Sequence, residues 1–188
     1  MTELSHITPA HLLVHQESPT PEQAQQIEAM MQAKFPVTLS SIAQRLGLSD
    51  LEAARLLPTD RAAFAPLATG EAFDEFWAEL ATWKKVTLMI LKDQHVFEIE
   101  GQLFTGKRAQ GYYNILSNGA TIGGHIAFEN IVAAVFTSFP FMGRDSYAVQ
   151  FINKEGAVSF AVYVGRENHK LVEEVVESWK SARARFAK

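Results

Sequence analysis

The sequence predicts an α+β fold in which N-terminal helices precede a large antiparallel β-sheet, with a C-terminal helix packed on that sheet. Upstream of about residue 85, apolar residues recur at spacings of three and four, the period of amphipathic helices. Downstream, the apolar period shortens to two, which is typical of strands. These strands are short and follow one another without intervening helices, so the sheet is expected to be antiparallel.

Four helices are expected before residue 85. Thr20 followed by Pro21 is a helix-start signal, because Pro is tolerated at the first helical position. Gly47 is suited to a left-handed C-cap at the end of the second helix. The predicted helices span, in order, about 21–34, 37–46, 49–57 and 72–83.

Seven strands and a final helix are expected after residue 85. Residues 86–91 form an apolar run suited to a strand buried on both faces. In the next strand, alternation places His95, Phe97 and Ile99 on one face. Further strands are predicted at 112–116, 124–128, 131–139, 147–152 and 158–164, with turns at 118–119 and 153–156, and the final helix at 168–187.

The composition indicates a globular protein, with 47% hydrophobic and 20% charged residues. A net charge of -4 disfavours nucleic-acid and anionic-membrane partners, since both attract basic surfaces. The sequence contains no cysteine, which excludes disulfides, thiolate nucleophiles and iron–sulfur ligation. We find no signal-peptide pattern and no apolar stretch approaching the ~20 residues of a membrane helix. A cytoplasmic protein without a membrane partner is therefore expected.

We expect residues 1–20 to be an N-terminal extension and residues 21–188 to form one domain, with its helical part at about 21–84. Part of the helical region, Val37 to Leu57, resembles a helix-turn-helix. Its second helix would present Asp50, Glu52 and one basic residue, Arg55, where DNA contacts call for basic or amide side chains. A helical pair used for packing explains the segment better than DNA binding does.

The histidines offer one candidate site residue. His6, His11 and His15 lie in a polar N-terminal stretch, and the sequence has no HExxH motif. His125 follows two glycines on a strand that is otherwise poor in polar groups, and such glycines permit close approach of a flat ligand. On the residues alone, a histidine that bonds a neighbouring carbonyl is the preferred explanation.

Tyr112 and Tyr113 are adjacent on a strand and must therefore point to opposite faces. A tyrosine oxygen can ligate ferric iron, as an imidazole can, although aromatic residues are also simply good strand formers. The sequence contains no GxSxG, Walker or Rossmann pattern. No enzymatic activity is therefore expected.

Several blocks of the sequence, in order, resemble the HutX/ChuX family of intracellular haem-utilisation proteins. The resemblance covers the chain from about Phe73 to the C-terminus. It is carried by Gly-Tyr-Tyr-Asn at 111–114, Gly-His-Ile-Ala-Phe-Glu-Asn at 124–130, Phe-Met-Gly-Arg-Asp at 141–145, Phe-Ile-Asn-Lys-Glu-Gly at 151–156 and Val-Gly-Arg-Glu-Asn-His at 164–169.

The resemblance implies a homodimer with a haem cleft on each subunit, and a carrier that delivers haem to a separate haem-degrading enzyme. Related duplicated-domain proteins degrade haem, so a haem-degrading enzyme is the alternative. His125 matches a histidine of the family's haem cleft. Leu91 stands where some members have a second histidine, which argues against two histidine ligands. Other members use a tyrosine of the 111–114 block, and we favour Tyr113 over Tyr112 because it shares a strand face with Ile115.

Haem is an apolar disc with a central iron and two propionates at one edge, so a carrier needs an apolar cleft, an iron ligand and nearby cations. The candidate cations are Lys107, Arg108 and Arg144, which could equally be solvated surface charges. We expect one iron ligand, Tyr113 or His125. A single ligand leaves the other side of the iron open to a ligand from the acceptor, which suits transfer.

Overall fold

The computed structural model of the chain describes residues 16–67, 69–92, 95–116, 119 and 121–188. The predictions for His6, His11, His15 and the turn at Asn118 lie outside the described residues. The described part contains the helices α1 (Pro21–Met31), α2 (Leu39–Leu46), α3 (Asp50–Arg55), α4 (Gly70–Leu80) and α5 (Glu173–Phe186). Its strands are β1 (Ala62–Pro66), β2 (Val86–Lys92), β3 (His95–Gly101), β4 (Gly106–Ala109), β5 (Tyr112–Ile115), β6 (Gly124–Ile126), β7 (Ile131–Phe141), β8 (Arg144–Asn153), β9 (Val158–Val164), β10 (Arg166–Glu167) and β11 (Lys170–Leu171).

The N-terminal helices begin at capping boxes encoded in the sequence. Before α1, the Thr20 side chain accepts a hydrogen bond from the Gln23 N–H, and the Gln23 side chain accepts one from the Thr20 N–H. Thr38 and Ser49 cap α2 and α3 in the same reciprocal way. Gly47 ends α2 in the left-handed conformation, at φ 69°. Because these signals are local, the predicted helices lie close to the observed ones.

Six antiparallel strands form the main sheet in the order β1-β7-β8-β9-β2-β3, which confirms the predicted α+β class with a large antiparallel sheet. Strand β1 lies inside the stretch that was predicted to be helical. Its sequence, Ala-Ala-Phe-Ala-Pro, lacks both the alternation and the β-branched residues that indicate a strand. Its extended conformation comes from its pairing with β7 and from nearly complete burial, which local sequence does not encode.

Helices α2 and α3 pack on one face of the main sheet, against β1 and β7. Ile42 of α2 and Ala53 of α3 are fully buried there. The first residue of α3, Asp50, accepts a hydrogen bond from the main-chain N–H of Val158 at 2.6 Å, and the Leu51 N–H donates to the Gly156 carbonyl. The end of α3 that would enter a DNA groove is therefore bound to the β8–β9 turn, as expected of a helical pair used for packing.

The other face of the main sheet carries α4, α5 and a second, three-stranded antiparallel sheet in the order β4-β5-β6. The short strands were expected to join one sheet, but these three pair only with each other. Helix α4 lies between the two sheets, and Phe73, Phe76 and Trp77 on its apolar face are all buried. We call the three-stranded sheet β4-β5-β6 the small sheet. Its inner face, which carries Tyr113, is directed toward α4.

The C-terminal helix packs on the main sheet as predicted, but it begins at Glu173 and not near residue 168. Residues 166–171 instead form the hairpin β10–β11. Asn168 and His169 turn this hairpin with positive φ angles of 49° and 65°, which a helix cannot contain. Trp179 anchors α5 by donating from Nε1 to the Ala148 carbonyl at 2.9 Å. None of the helices within the described ranges is long and apolar enough to cross a membrane.

Strand β2 was predicted to be buried on both faces, but only its first residue, Val86, is fully buried. The other residues are half-buried or, at Ile90 and Lys92, exposed, because the neighbouring strand β3 is the edge of the sheet and is itself largely exposed. The predicted alternation in β3 is observed: Phe97 pairs with Ile90, and Ile99 pairs with Leu88. The outer end of this strand pair therefore leaves apolar side chains uncovered.

Candidate functional site

An apolar cleft of about 360 Å³ opens between the main sheet and the small sheet. Its lining includes Leu88 and Ile90 of β2, Phe160 of β9, Ile115 of β5 and Ile126 of β6. Trp77 of α4 also contributes to the lining. Ligand sites in proteins are typically apolar clefts of this kind with a few polar groups.

His125 is the only ionisable residue among the described residues that line the cleft. It lies on β6, next to Gly124 and Ile126, and it is exposed to solvent. The cleft therefore has an apolar interior, and His125 stands at its rim with its side chain on the other face of β6 from the cleft residue Ile126. Its imidazole can donate a lone pair to a metal.

The mouth of the cleft continues onto exposed apolar surface. Ile90, which lines the cleft, is 38% exposed, and Phe97, its partner across β2 and β3, is 58% exposed. Their side chains share one face of the sheet because directly paired residues point the same way. Exposed large apolar groups beside a cleft are typical of a ligand-binding surface.

Three predicted site residues lie together on the outer face of the small sheet, opposite Tyr113: His125, Tyr112 and Lys107. Lys107, Asn114 and His125 are paired in register across β4, β5 and β6. The Nδ1 atom of His125 lies 2.6 Å from the Oδ1 atom of Asn114. The Tyr112 ring lies edge-to-face against the imidazole, with 6.2 Å between ring centroids. His125, Tyr112 and Lys107 are thus brought together.

Tyr113 lies on the inner face of the small sheet and is 3% exposed. Its ring contacts the ring of Phe73 edge-on, with 5.3 Å between centroids. The hydroxyl oxygen accepts a hydrogen bond from the Gly106 N–H at 2.7 Å. Burial raises the pKa of the Tyr113 phenol, the hydrogen bond from the Gly106 N–H partly offsets this, and the carboxylate of Asp74 raises the pKa again. The raised pKa disfavours the phenolate form that binds ferric iron.

Arg108 also lies on the inner side of the small sheet, where it contacts helix α4. Its guanidinium pairs with Asp74 at 2.9 Å and with Glu71 at 3.2 Å, and it lies over the ring of Phe128. The hydrogen bond to Glu71 is the main reason that the pKa of Arg108 is raised. Two carboxylates thus already neutralise the charge of Arg108.

Arg144 is not brought to the cleft of its own chain. It begins β8, where it donates to the main-chain oxygen of His169 at 3.3 Å, and Arg166 donates to the same oxygen. Phe151, the β8 residue that pairs with the cleft residue Phe160, lies seven residues further along the strand. At about 3.3 Å per residue, this separation is roughly 23 Å.

The sequence did not reveal Asn114 as part of the site. Asparagine is a poor strand former, and here it stands within Tyr-Tyr-Asn-Ile, where β-formers surround it. That mismatch is the signal that could have identified it. The apolar walls were also missed, because Leu88 and Phe160 come from strands that are distant in sequence.

Residues 67–182, more than half of the chain, match the family described as haem utilisation ChuX/HutX. Over 164 residues the chain is 30% identical to the intracellular haem transport protein HutX of Vibrio cholerae, with 86% of this chain and 83% of the relative covered. A structure of the haem-binding protein ChuX is similar at a TM-score of 0.72 and 28% identity, covering 85% of this chain and 97% of ChuX.

The Escherichia coli haem oxygenase ChuS has a TM-score of 0.68 at 16% identity, which shows likeness of fold alone. That similarity covers 92% of this chain and 50% of ChuS. The family match and the HutX relative confirm the resemblance predicted from the sequence blocks. The chain belongs to the ChuX/HutX family of haem-utilisation proteins.

Proposed function

We propose that this protein binds haem in the apolar cleft and carries it as cargo without degrading it. The observation that carries the proposal is the cleft itself, whose described lining is apolar apart from Ser159 and His125. Such a lining favours the porphyrin disc, and the single histidine supplies a ligand for its iron. Membership of the ChuX/HutX family and the likeness to a haem transport protein support this assignment.

His125 is the proposed iron ligand. Tyr113, the alternative, is buried with its oxygen already hydrogen-bonded, and burial raises its pKa. Tyr112 shares the outer face with His125 and is the tyrosine better placed to assist. A single ligand leaves the opposite side of the iron accessible, so that a ligand from an acceptor protein can replace it.

Lys107 is the proposed partner of a haem propionate. It is exposed, it lies in register with His125 through Asn114, and it makes no ion pair within the described residues. Arg108 is less suited because Asp74 and Glu71 hold its charge. Arg144 could contribute only from another protomer, given its distance from the cleft of its own chain.

The carrier is proposed to act in the cytoplasm as a homodimer, with one cleft in each protomer, and to deliver haem to a haem-degrading enzyme. Residues 21–188 would form the carrier domain, and residues 1–20 would form an extension. The competing function is haem degradation by the protein itself. The haem oxygenase ChuS shares the fold of this chain, which is the reason to test this alternative, but the similarity extends to the fold alone.

Haem titration followed by absorption spectroscopy tests the proposal. The wild-type protein is expected to take up haem saturably, and His125→Ala is expected to lower affinity and shift the spectrum. His169→Asn is the matched control, because His169 lies on the distant β10–β11 hairpin and Asn tolerates its positive φ. Absence of saturable uptake, or an unchanged His125→Ala spectrum, contradicts the proposal.

A second measurement separates a carrier from an enzyme. The haem-loaded protein is given a reductant and oxygen, and its Soret band is followed. A carrier keeps the band until a haem-degrading enzyme is added, whereas loss of the band with the protein alone establishes the alternative function.

A further inference from the structure

We infer that Asn114 is a positioning residue, which holds the proton of neutral His125 on Nδ1 and thereby presents an unprotonated Nε2 to the haem iron. The part of the inference that concerns iron binding rests on the proposed function. The position of the hydrogen on His125 concerns the protein without haem and rests on the geometry of the small sheet.

The orientation of the Asn114 amide follows from its surroundings. Its Nδ2 atom lies 3.1 Å from each of three main-chain oxygens, those of Lys107, Ala109 and Tyr112. An amide nitrogen has two hydrogens to donate, whereas an amide oxygen has none. The reversed orientation would place an oxygen against three carbonyl oxygens and lose all three interactions. The atom directed at His125 is therefore the amide oxygen.

The amide oxygen in turn determines the state of His125. Oδ1 of Asn114 can only accept a hydrogen bond, and Nδ1 of His125 lies 2.6 Å from it. Nδ1 must therefore carry the hydrogen. Neutral imidazole carries one N–H hydrogen, so Nε2 keeps its lone pair. Nε2 forms no hydrogen bond within the part of the chain that the structure describes.

The hairpin that supplies the three carbonyls makes this arrangement rigid. Gln110 and Gly111 connect β4 to β5 with φ angles of 53° and 78°, the two positive values that a tight two-residue hairpin turn requires. The Asn114 amide bonds to oxygens on both sides of this turn. The edge-to-face contact with Tyr112 further limits rotation of the imidazole. Second-sphere hydrogen bonds of this kind orient histidine ligands in metal sites.

Asn114 could also be only a structural support of the hairpin, so the test needs a readout that hairpin stability does not change. Nitrogen-15 NMR of the full chain without haem provides it, because protonated and unprotonated imidazole nitrogens have distinct shifts. Spectra are recorded at a pH where the imidazole is neutral. Wild-type His125 is expected to carry its hydrogen on Nδ1.

Two variants separate the roles. Asn114→Asp keeps an acceptor for Nδ1 but loses the donor to the three carbonyls, whereas Asn114→Leu loses both. Both variants are expected to be less stable, but only Asn114→Leu is expected to shift the hydrogen toward Nε2. Haem affinity of Asn114→Leu is expected to fall about 10- to 100-fold, the usual effect of removing such a partner.

A wild-type hydrogen on Nε2 overturns the inference, even if the Leu variant fails to fold. An unchanged tautomer in folded Asn114→Leu also overturns it and leaves Asn114 as a hairpin support. If the hydrogen lies on Nδ1 but the wild-type protein takes up no haem, the proposed function fails while the tautomer assignment holds. The two failures are thus distinguishable.

Discussion

The hydroxyl oxygen of Tyr113 accepts a hydrogen bond from the main-chain N–H of Gly106, 2.7 Å away across β4 and β5. A Cβ atom at Gly106 would strike the main chain of Asn114 and the Tyr113 ring, so only glycine fits beneath the tyrosine. Tyr113 thus fastens the start of β4 to the inner face of the small sheet. These contacts are those of a structural side chain, so we expect Tyr113 not to serve as the iron ligand.

Tyr113→Phe is therefore expected to reduce stability without changing how haem is bound. The loss leaves the Gly106 N–H without its partner, which costs about 1 kcal/mol of unfolding free energy. Urea unfolding measures the cost, and the absorption spectrum of the haem-loaded variant should match that of the wild type. Tyr112→Phe is the control for the unfolding measurement, because the exposed Tyr112 ring is not packed in the core. A shifted haem spectrum in Tyr113→Phe would restore it as a ligand candidate.

The exposed apolar mouth of the cleft predicts a loss of haem affinity in Phe97→Gln. Burying a phenylalanine side chain against a ligand contributes about 1.5 to 3 kcal/mol, which corresponds to roughly tenfold or more in affinity. Val96→Gln is the matched control: it is adjacent and 54% exposed, close to the 58% of Phe97, but it points to the opposite sheet face. Equal haem affinities of the two variants, measured by titration, would exclude Phe97 from the binding surface.

The helices and the long strands could be predicted because their signals are local. The capping boxes at Thr20, Thr38 and Ser49 mark helix starts within a few residues, and alternation identifies β9. Strand β1 could not be predicted, since its alanines are extended only through pairing with β7. The start of α5 was misplaced because the turn at 168–169 requires positive φ angles that the helical periodicity hides.

The candidate site was only partly predictable for a related reason. The sequence establishes that Tyr112 and Tyr113 point to opposite faces, but which one faces the core depends on where Phe73 of α4 packs. The cleft walls depend on the pairing of β2 with β9, which joins Ile90 to Phe160 although they are far apart in the sequence. Register and layer packing are long-range properties, so the residue types of the cleft could be proposed while its geometry could not.

The two adjacent cations of β4 are expected to respond differently to neutralisation. Lys107→Gln should weaken haem binding modestly and reduce its salt dependence, because an exposed lysine contributes a screened interaction with a propionate. Arg108→Gln should leave haem binding largely unchanged but lower the thermal unfolding midpoint, because Asp74 and Glu71 lose their common partner. Titrations at two salt concentrations and thermal melts of both variants make the comparison. If Arg108→Gln alone lost haem affinity, Arg108 and not Lys107 would be the partner of the propionate.

Alkaline pH is expected to destabilise the protein partly through Tyr163, which lies on the sheet face opposite Phe160. Burial raises the pKa of this phenol, Glu98 raises it further, and the hydrogen bond from Gln150 to the phenol oxygen only partly offsets these effects. The folded state therefore holds the Tyr163 proton at pH values where the unfolded chain, with a tyrosine pKa near 10, has lost it.

The unfolded state then binds fewer protons than the folded state, so the unfolding free energy falls as pH rises. The Tyr163 contribution is fully present below about pH 10 and is lost as pH rises through the folded-state value, with a slope of at most about 1.36 kcal/mol per pH unit for one proton. Tyr163→Phe removes this contribution, so its unfolding free energy should decline less steeply above about pH 10, while the two proteins should show the same pH dependence between about pH 7 and 8. Urea unfolding across this range measures both slopes. If the unfolding free energies of the two proteins decline equally steeply at high pH, a group other than Tyr163 causes the loss of stability. The Tyr113 phenol would then be the next group to replace.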